Sequence, residues 1–168
     1  MSENKIPKTN AMRILDKAKI AYRVLTYEVD ESDLSGEHIA AQLNMDPEML
    51  FKTLVLKGDK KGYLVACIPV AETLDLKALA KVSGNKSVEM VHVKELFGLT
   101  GYIRGGCSPI GMKKKFPTYI HESALTQETV GVSGGLRGVQ LLMEPDKLIR
   151  AADAQVCNIL LDANRPCL

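Results

Sequence analysis

Residues 49–71 read MLFKTLVLKGDKKGYLVACIPVA, and how this stretch is laid down decides the fold. Side chains of an extended chain alternate between two faces, so within Phe51-Lys52-Thr53-Leu54-Val55-Leu56 the lysine shares a face with Leu54 and Leu56. The turn-forming KGDKKG follows, and then Gly62 to Pro69, whose run Tyr63–Ile68 is too continuously apolar to leave one side in water. The spacing therefore predicts a central hairpin, with a lysine pointing where leucines point. A lysine at a strand end can lay its methylenes on the core and carry its ammonium out to water. If the face is enclosed, an unpaired ammonium is costly and needs an anionic or carbonyl partner, which a ligand pocket would supply.

Working outward from the hairpin, Asn10 is expected to cap a helix bearing Ala11, Ile14, Leu15 and Ala18, followed by a strand from Tyr22 to Tyr27. DLSGEHIAAQLN reads as a helix capped near Ser35 and ending at Asn44, and DPEML as a short helix with Asp46 as cap and Pro47 at its first position. After the hairpin, TLDLKALAKVSG gives a helix that Thr73 or Asp75 can cap and Gly84 can end, then a strand at Ser87 to Val91 and a brief helix VKELFG. Strands are expected at Thr118 to His121, Thr129 to Ser133 and Gly138 to Met143. A last helix should start near Pro145 and carry Leu148, Ile149, Ala152 and Val156. Several antiparallel hairpins without a regular βαβ repeat point to an α+β fold: one domain over residues 1–168, with a mixed, strongly curved sheet, a partial barrel, flanked by helices.

Composition supports a globular domain able to bury a core: 168 residues, 46% apolar and 25% charged. No apolar run approaches the roughly 18 residues of a membrane helix, and MSENKIPKTN is too polar for a signal peptide, so a cytoplasmic protein without membrane association is expected. The formal net charge of +2 does not by itself argue for nucleic acid, although lysines cluster at Lys57/Lys60/Lys61 and Lys113/Lys114/Lys115. Cys67, Cys107, Cys157 and Cys167 show no paired spacing and read as reduced thiols. His38, His92 and His121 are dispersed, so neither a metal nor a cofactor is expected.

GYIRGGCSPIGMKKKFP and VGVSGGLRGVQ depart from ordinary loops, each combining paired glycines with a serine. Glycine admits a ligand close to the backbone, and consecutive N–H groups can converge on an oxyanion or phosphate; tight turns between strands would use the same residues. Neither segment has the G-x-x-x-x-G-K-[ST] pattern, and no G-x-G-x-x-G opens a helix.

FKTLV, PVAETLDLKALAK, GYIRGGCSPIGMKKKFP and VSGGLRG occur in the order and at the spacing found in YbaK-type proteins. Over about Ala11 to Asp153 the chain resembles the freestanding aminoacyl-tRNA deacylases, especially the Cys-tRNA(Pro)/Cys-tRNA(Cys) group, which are related to the editing domain of bacterial prolyl-tRNA synthetases. The resemblance implies hydrolysis of a mischarged ester at the terminal adenosine of tRNA. It places the family's required lysine on Lys52 and its strand tyrosine on Tyr27. Its G-G-x-S-P-x-G loop falls on Gly105, Gly106, Ser108, Pro109 and Gly111, and its S-G-G loop on Ser133, Gly134 and Gly135, with Arg137 beside them. It further implies that the substrate's own thiol attacks its carbonyl, that tRNA and prolyl-tRNA synthetase are the partners, and that Lys52 and the two loops line one cleft. Monomer and homodimer both stay open.

Some relatives carry an aspartate where Gln140 stands, and DESDLSG, which borders the presumed pocket, differs in length and side chains from some of them. Gln140 can hydrogen-bond but brings no charge. Competing readings are Cys107 as nucleophile with His121 or His92 as base, Ala-tRNA(Pro) as substrate, and a non-catalytic module that binds tRNA or a synthetase.

Overall fold

Residues 6–162 are described by a computed structural model of the chain; Cys167 lies outside the described residues. In chain order the elements are α1 (Asn10–Lys17), β1 (Arg23–Thr26), α2 (Gly36–Gln42), β2 (Phe51–Gly58), β3 (Gly62–Pro69), α3 (Leu76–Ser83), β4 (Val88–Met90), α4 (Val93–Thr100), β5 (Thr118–His121), β6 (Val130–Ser133), β7 (Val139–Met143), α5 (Pro145–Ala152) and β8 (Ala154–Cys157). The central hairpin is β2–β3, antiparallel from Phe51 opposite Pro69 to Gly58 opposite Gly62. It lies inside a five-stranded sheet of order β4-β2-β3-β5-β8, in which β3, β5 and β8 run parallel. A second, antiparallel sheet has the order β1-β7-β6.

The fold is thus α+β and mixed, but the curvature is taken up by a break: two sheets joined at one point, not a closed barrel. The joint is a bridge between Leu50 and Gly131, where the Gly131 N–H donates to the Met49 carbonyl at 2.8 Å. A Cβ on Gly131 would lie 2.5 Å from the Leu50 side chain and 2.8 Å from that of Leu142, so only glycine lets the strands approach this closely.

Alternation along β2 sorts its side chains between two cores. Phe51 and Val55 join Val65, Ile120, Val132, Leu141 and the Leu15 face of α1 in the larger core. Leu56, with Leu54 packed beside it, joins Ile68 and Leu79 of α3 in another. A third small cluster sets Ile39 of α2 against Leu50, Val70 and Leu142. Lys52 belongs to the Leu54–Leu56 face. That face passes from fully buried Leu56 to half-buried Leu54 and Lys52, where the packing ends.

Local chemistry explains the helix boundaries. Ser35 Oγ accepts the His38 N–H at 3.2 Å, Asp75 accepts that of Ala78 at 3.0 Å, and Gly84 ends α3 in the left-handed region. Three expectations need correction. Thr9, not Asn10, caps α1, because the Asn10 amide is engaged by the Gly111 carbonyl at 2.7 Å. DPEML forms a turn, its Asp46 side chain accepting from Glu48 N–H, because Leu50 is already committed to the sheet bridge. The last helix stops at Ala152: Asp153 turns left-handed (φ +50°), and Val156 enters β8 opposite Ile120.

Candidate active site

Where α2, the start of β2, the Arg104–Cys107 segment and the ends of β6 and β7 converge, they enclose a cavity of about 300 Å³. Lys52 lines it, with no hydrogen-bond or ion-pair partner among the described residues. Gly105 and Ser133 line it too, so Lys52 and both glycine loops meet at one cleft.

The loops are tied to each other. Arg137 Nε donates to the Arg104 carbonyl at 2.7 Å, and a Cβ on Gly106 would come within 3.0 Å of the Arg137 nitrogen. Gly106 therefore serves the close approach of the two loops, and its N–H donates to Ile103 O. The Gly134 N–H is likewise used by Val139 O, and that of Gly135 by Ser133 Oγ. Among the described residues, the N–H groups of Gly105 and Cys107 donate to no protein atom, so the unclaimed donors are those of the first glycine of one pair and of the cysteine after it, and not those of Gly106, Gly134 or Gly135. Ser133 Oγ accepts one bond and keeps its own proton available to a ligand.

Other residues singled out in the sequence stand apart from the lining. Ser108 is fully buried, its Oγ accepting the Ile110 N–H at 3.2 Å. Tyr27 packs on the Ile39 cluster and pairs through its N–H with Gly138 O. Pro109 and Gly111 line a different depression of about 510 Å³ with Lys114 and Arg150. They anchor the loop: Gly111 O is held by Asn10, and the Tyr102 hydroxyl donates to Ile110 O at 2.7 Å.

Leu34, Ser35 and Gly36 of the DESDLSG stretch line the cavity as expected of a segment bordering the pocket, whereas Arg104 and Ile39, which also line it, carried no role in the sequence reading. Arg104 precedes the glycine pair directly, a signal available in the sequence. Ile39 has no such signal, since the packing of α2 brings it there.

Cys107 also lines the cavity, and burial pushes its thiol up to about 11. It is protonated at neutral pH, and no histidine lines the cavity to take its proton. His121 sits elsewhere, its Nδ1 accepting the Ile159 N–H at 3.2 Å, and His92 begins α4. Among the described residues no group of His, Cys, Asp and Glu could hold a metal ion, and no helix is long and apolar enough to cross a membrane.

A small cavity lined by a lysine, an arginine, a serine with a free hydroxyl proton and two residues with unclaimed backbone N–H groups is equipped to bind an electron-rich carbonyl or phosphate and to stabilise developing negative charge. Residues 32–151 match the family model described as aminoacyl-tRNA editing domain. The chain belongs to this family. It is 48% identical over 152 residues to a protein of Enterococcus faecalis (strain ATCC 700802 / V583) named "Putative Cys-tRNA(Pro)/Cys-tRNA(Cys) deacylase EbsC", covering 90% of this chain and 93% of that one. The fold is shared with the crystal structure of hypothetical protein APE2540 (TM-score 0.82, 22% identity, 91% of this chain and 100% of that one). It is shared as well with a structure described as a putative trans-editing enzyme for prolyl tRNA synthetase (TM-score 0.78, 22% identity, 91% and 96%).

Proposed function

We propose that this chain is a trans-editing aminoacyl-tRNA deacylase that removes cysteine from mischarged Cys-tRNA(Pro), and also acts on Cys-tRNA(Cys). The observation that carries the reading is the placement of Lys52, half-buried and without a protein partner among the described residues, in a cavity whose lining holds neither a carboxylate nor an imidazole. Such a site binds and polarises an ester but offers no general base.

Chemistry in which the substrate brings its own nucleophile fits this lining. The cysteinyl sulfur attacks its own carbonyl carbon, the bond from that carbon to the ribose oxygen breaks, and the thiol proton passes to the leaving hydroxyl. A cyclic thioester results, which water then opens to free cysteine. Lys52 and Arg104 anchor the carbonyl oxygen or the terminal phosphate, while Ser133 Oγ–H and the N–H groups of Gly105 and Cys107 stabilise the charge that develops. At about 300 Å³ the cavity accepts a small aminoacyl group.

Prolyl-tRNA synthetase is the proposed partner. With a net charge of only +2, the protein attracts the tRNA backbone weakly, and a synthetase that presents the charged end would supply the missing affinity. Deacylation of Cys-tRNA(Pro) and Ala-tRNA(Pro), measured side by side, tests the reading. Preferential turnover of the cysteinyl ester is expected; faster turnover of the alanyl ester, or turnover of neither, would overturn it.

A further inference from the structure

The loop over residues 105–111 borders two hollows. Gly105 and Cys107 line the Lys52 cavity, whereas Pro109 and Gly111 line the depression of about 510 Å³ that also receives Lys114 and Arg150. Ser108, between them, is fully buried and holds the Ile110 N–H, so this part of the loop is a fixed wall. Cys107 and Pro109 are two residues apart in the chain, and at most about 7 Å can separate their Cα atoms.

The depression combines positive charge with an apolar side. Lys114 and Arg150 are exposed and have no hydrogen-bond or ion-pair partner among the described residues. Asp153 is the one acidic residue on the lining, and Lys115 pairs with it at 2.6 Å. Three cations against one carboxylate leave two positive charges, as many as the formal net charge of the whole chain. The Asp153 N–H takes the Ile149 and Arg150 carbonyls, which would otherwise oppose an anion at the end of α5. Ile14, Met112 and Phe116, half-buried against the larger core, supply the apolar side. From Phe116 the aromatic surface continues to Tyr63, edge to face at 5.9 Å, and Lys57 lies over that ring at 5.6 Å.

Cations alone would take any anion. Cations beside half-exposed rings and aliphatic side chains suit a phosphate that carries a flat, apolar-faced group, which is a nucleotide. An acidic peptide would leave the apolar side unused. We infer that the depression binds an unpaired nucleotide of the RNA upstream of the terminal adenosine, its phosphate on Lys114 and Arg150 and its base on Met112 and Phe116. This rests on the deacylase reading, which puts the terminal adenosine in the neighbouring cavity. The depression supplies affinity for the RNA chain, and the Lys52 cavity holds the ester.

Calorimetric binding of two stable probes to the full chain tests this. One is the cysteinyl amide of 3′-amino-3′-deoxyadenosine; the other is the same amide at the end of the single-stranded RNA tetramer ACCA. The tetramer should bind more tightly, and its advantage should shrink as salt is added, because it alone brings phosphates. Lys114→Ala and Arg150→Ala should each weaken the tetramer about fivefold, the upper range for an exposed ion pair, without affecting the adenosine probe. Asp153→Asn should tighten the tetramer about threefold, a gain that no folding defect can produce. Asparagine also tolerates the left-handed φ of +50° at this position. Equal affinity for the two probes, or a tetramer advantage that survives undiminished in the Lys114→Ala/Arg150→Ala double variant, would overturn the depression as an RNA site and leave the deacylase reading standing. Failure of both probes to bind, with no deacylation of Cys-tRNA(Pro), would overturn the deacylase reading itself.

Discussion

Lys52 is where the alternation of β2 and the boundary of the core intersect: the Leu56–Leu54 face continues beyond the cover of α3, and its next side chain enters the cavity. Because the described residues offer its ammonium no partner, little folding energy depends on it. Lys52→Ala should therefore lower deacylation by at least about a hundredfold, the scale of losing one preorganised electrostatic anchor, while moving Tm by only a few degrees. A variant that unfolds, or that keeps normal turnover, would make the lysine structural. At Cys107 the opposite is expected. Its thiol titrates near 11, so Cys107→Ser should retain most activity, and iodoacetamide at pH 7 should label the folded protein far more slowly than a free cysteine. Lys52 could be found in the sequence because a charge on an apolar face breaks a period of two. The glycine pairs could be found as well, but not which N–H groups they leave free, since Gly106 and Gly134 spend theirs on neighbouring turns.

Among the elements, the Leu50–Gly131 joint couples the sheet that carries Lys52 to the sheet that carries Ser133 and Gln140. Gly131→Ala must push apart Leu50 and Leu142, an overpacking cost of about 1–3 kcal/mol. It should lower kcat more than stability alone explains, because the two sides of the cavity separate; denaturant unfolding and turnover of the same variant check this. The β5 end has a pH-dependent tie: burial holds His121 below the usual imidazole range, and its neutral Nδ1 accepts the Ile159 N–H. Between that lowered value and about 6.5 the unfolded chain binds more protons than the folded one, so this contribution is present above about pH 6.5 and is lost as pH falls through the window. His121→Asn, which keeps an acceptor that does not titrate, should flatten the fall in stability between pH 7.5 and 5.5. Local rules located most elements to within a residue or two, as at Ser35, Asp75 and Gly84. They failed where tertiary structure decided: Ala152 and Val156 fit a helical stripe, yet β5 has an open edge that captures Val156 as a strand.

For the molecule as a whole, the basic surface is smaller than the Lys113–Lys115 run suggests. Lys115 pairs with Asp153 at 2.6 Å and Lys113 lies over the Phe97 ring at 5.2 Å, whereas Lys114 has no partner among the described residues and faces the depression with Arg150. Binding of free tRNA should be weak and salt-sensitive, and Lys114→Ala should reduce the slope of log affinity against log salt by about 0.7–0.9, more than Lys115→Ala does. Tight binding indifferent to salt would contradict this. The central claim, that this cavity positions an ester whose own sulfur attacks, is tested most directly by the deacylation rates of Cys-tRNA(Pro) and Ser-tRNA(Pro) at equal concentration. A thiol is a few per cent ionised at pH 7, roughly, and a hydroxyl essentially never, while the two side chains fill nearly the same space. The seryl ester should bind comparably and be cleaved at least about a hundredfold more slowly; equal rates would contradict the account and assign the attack to water.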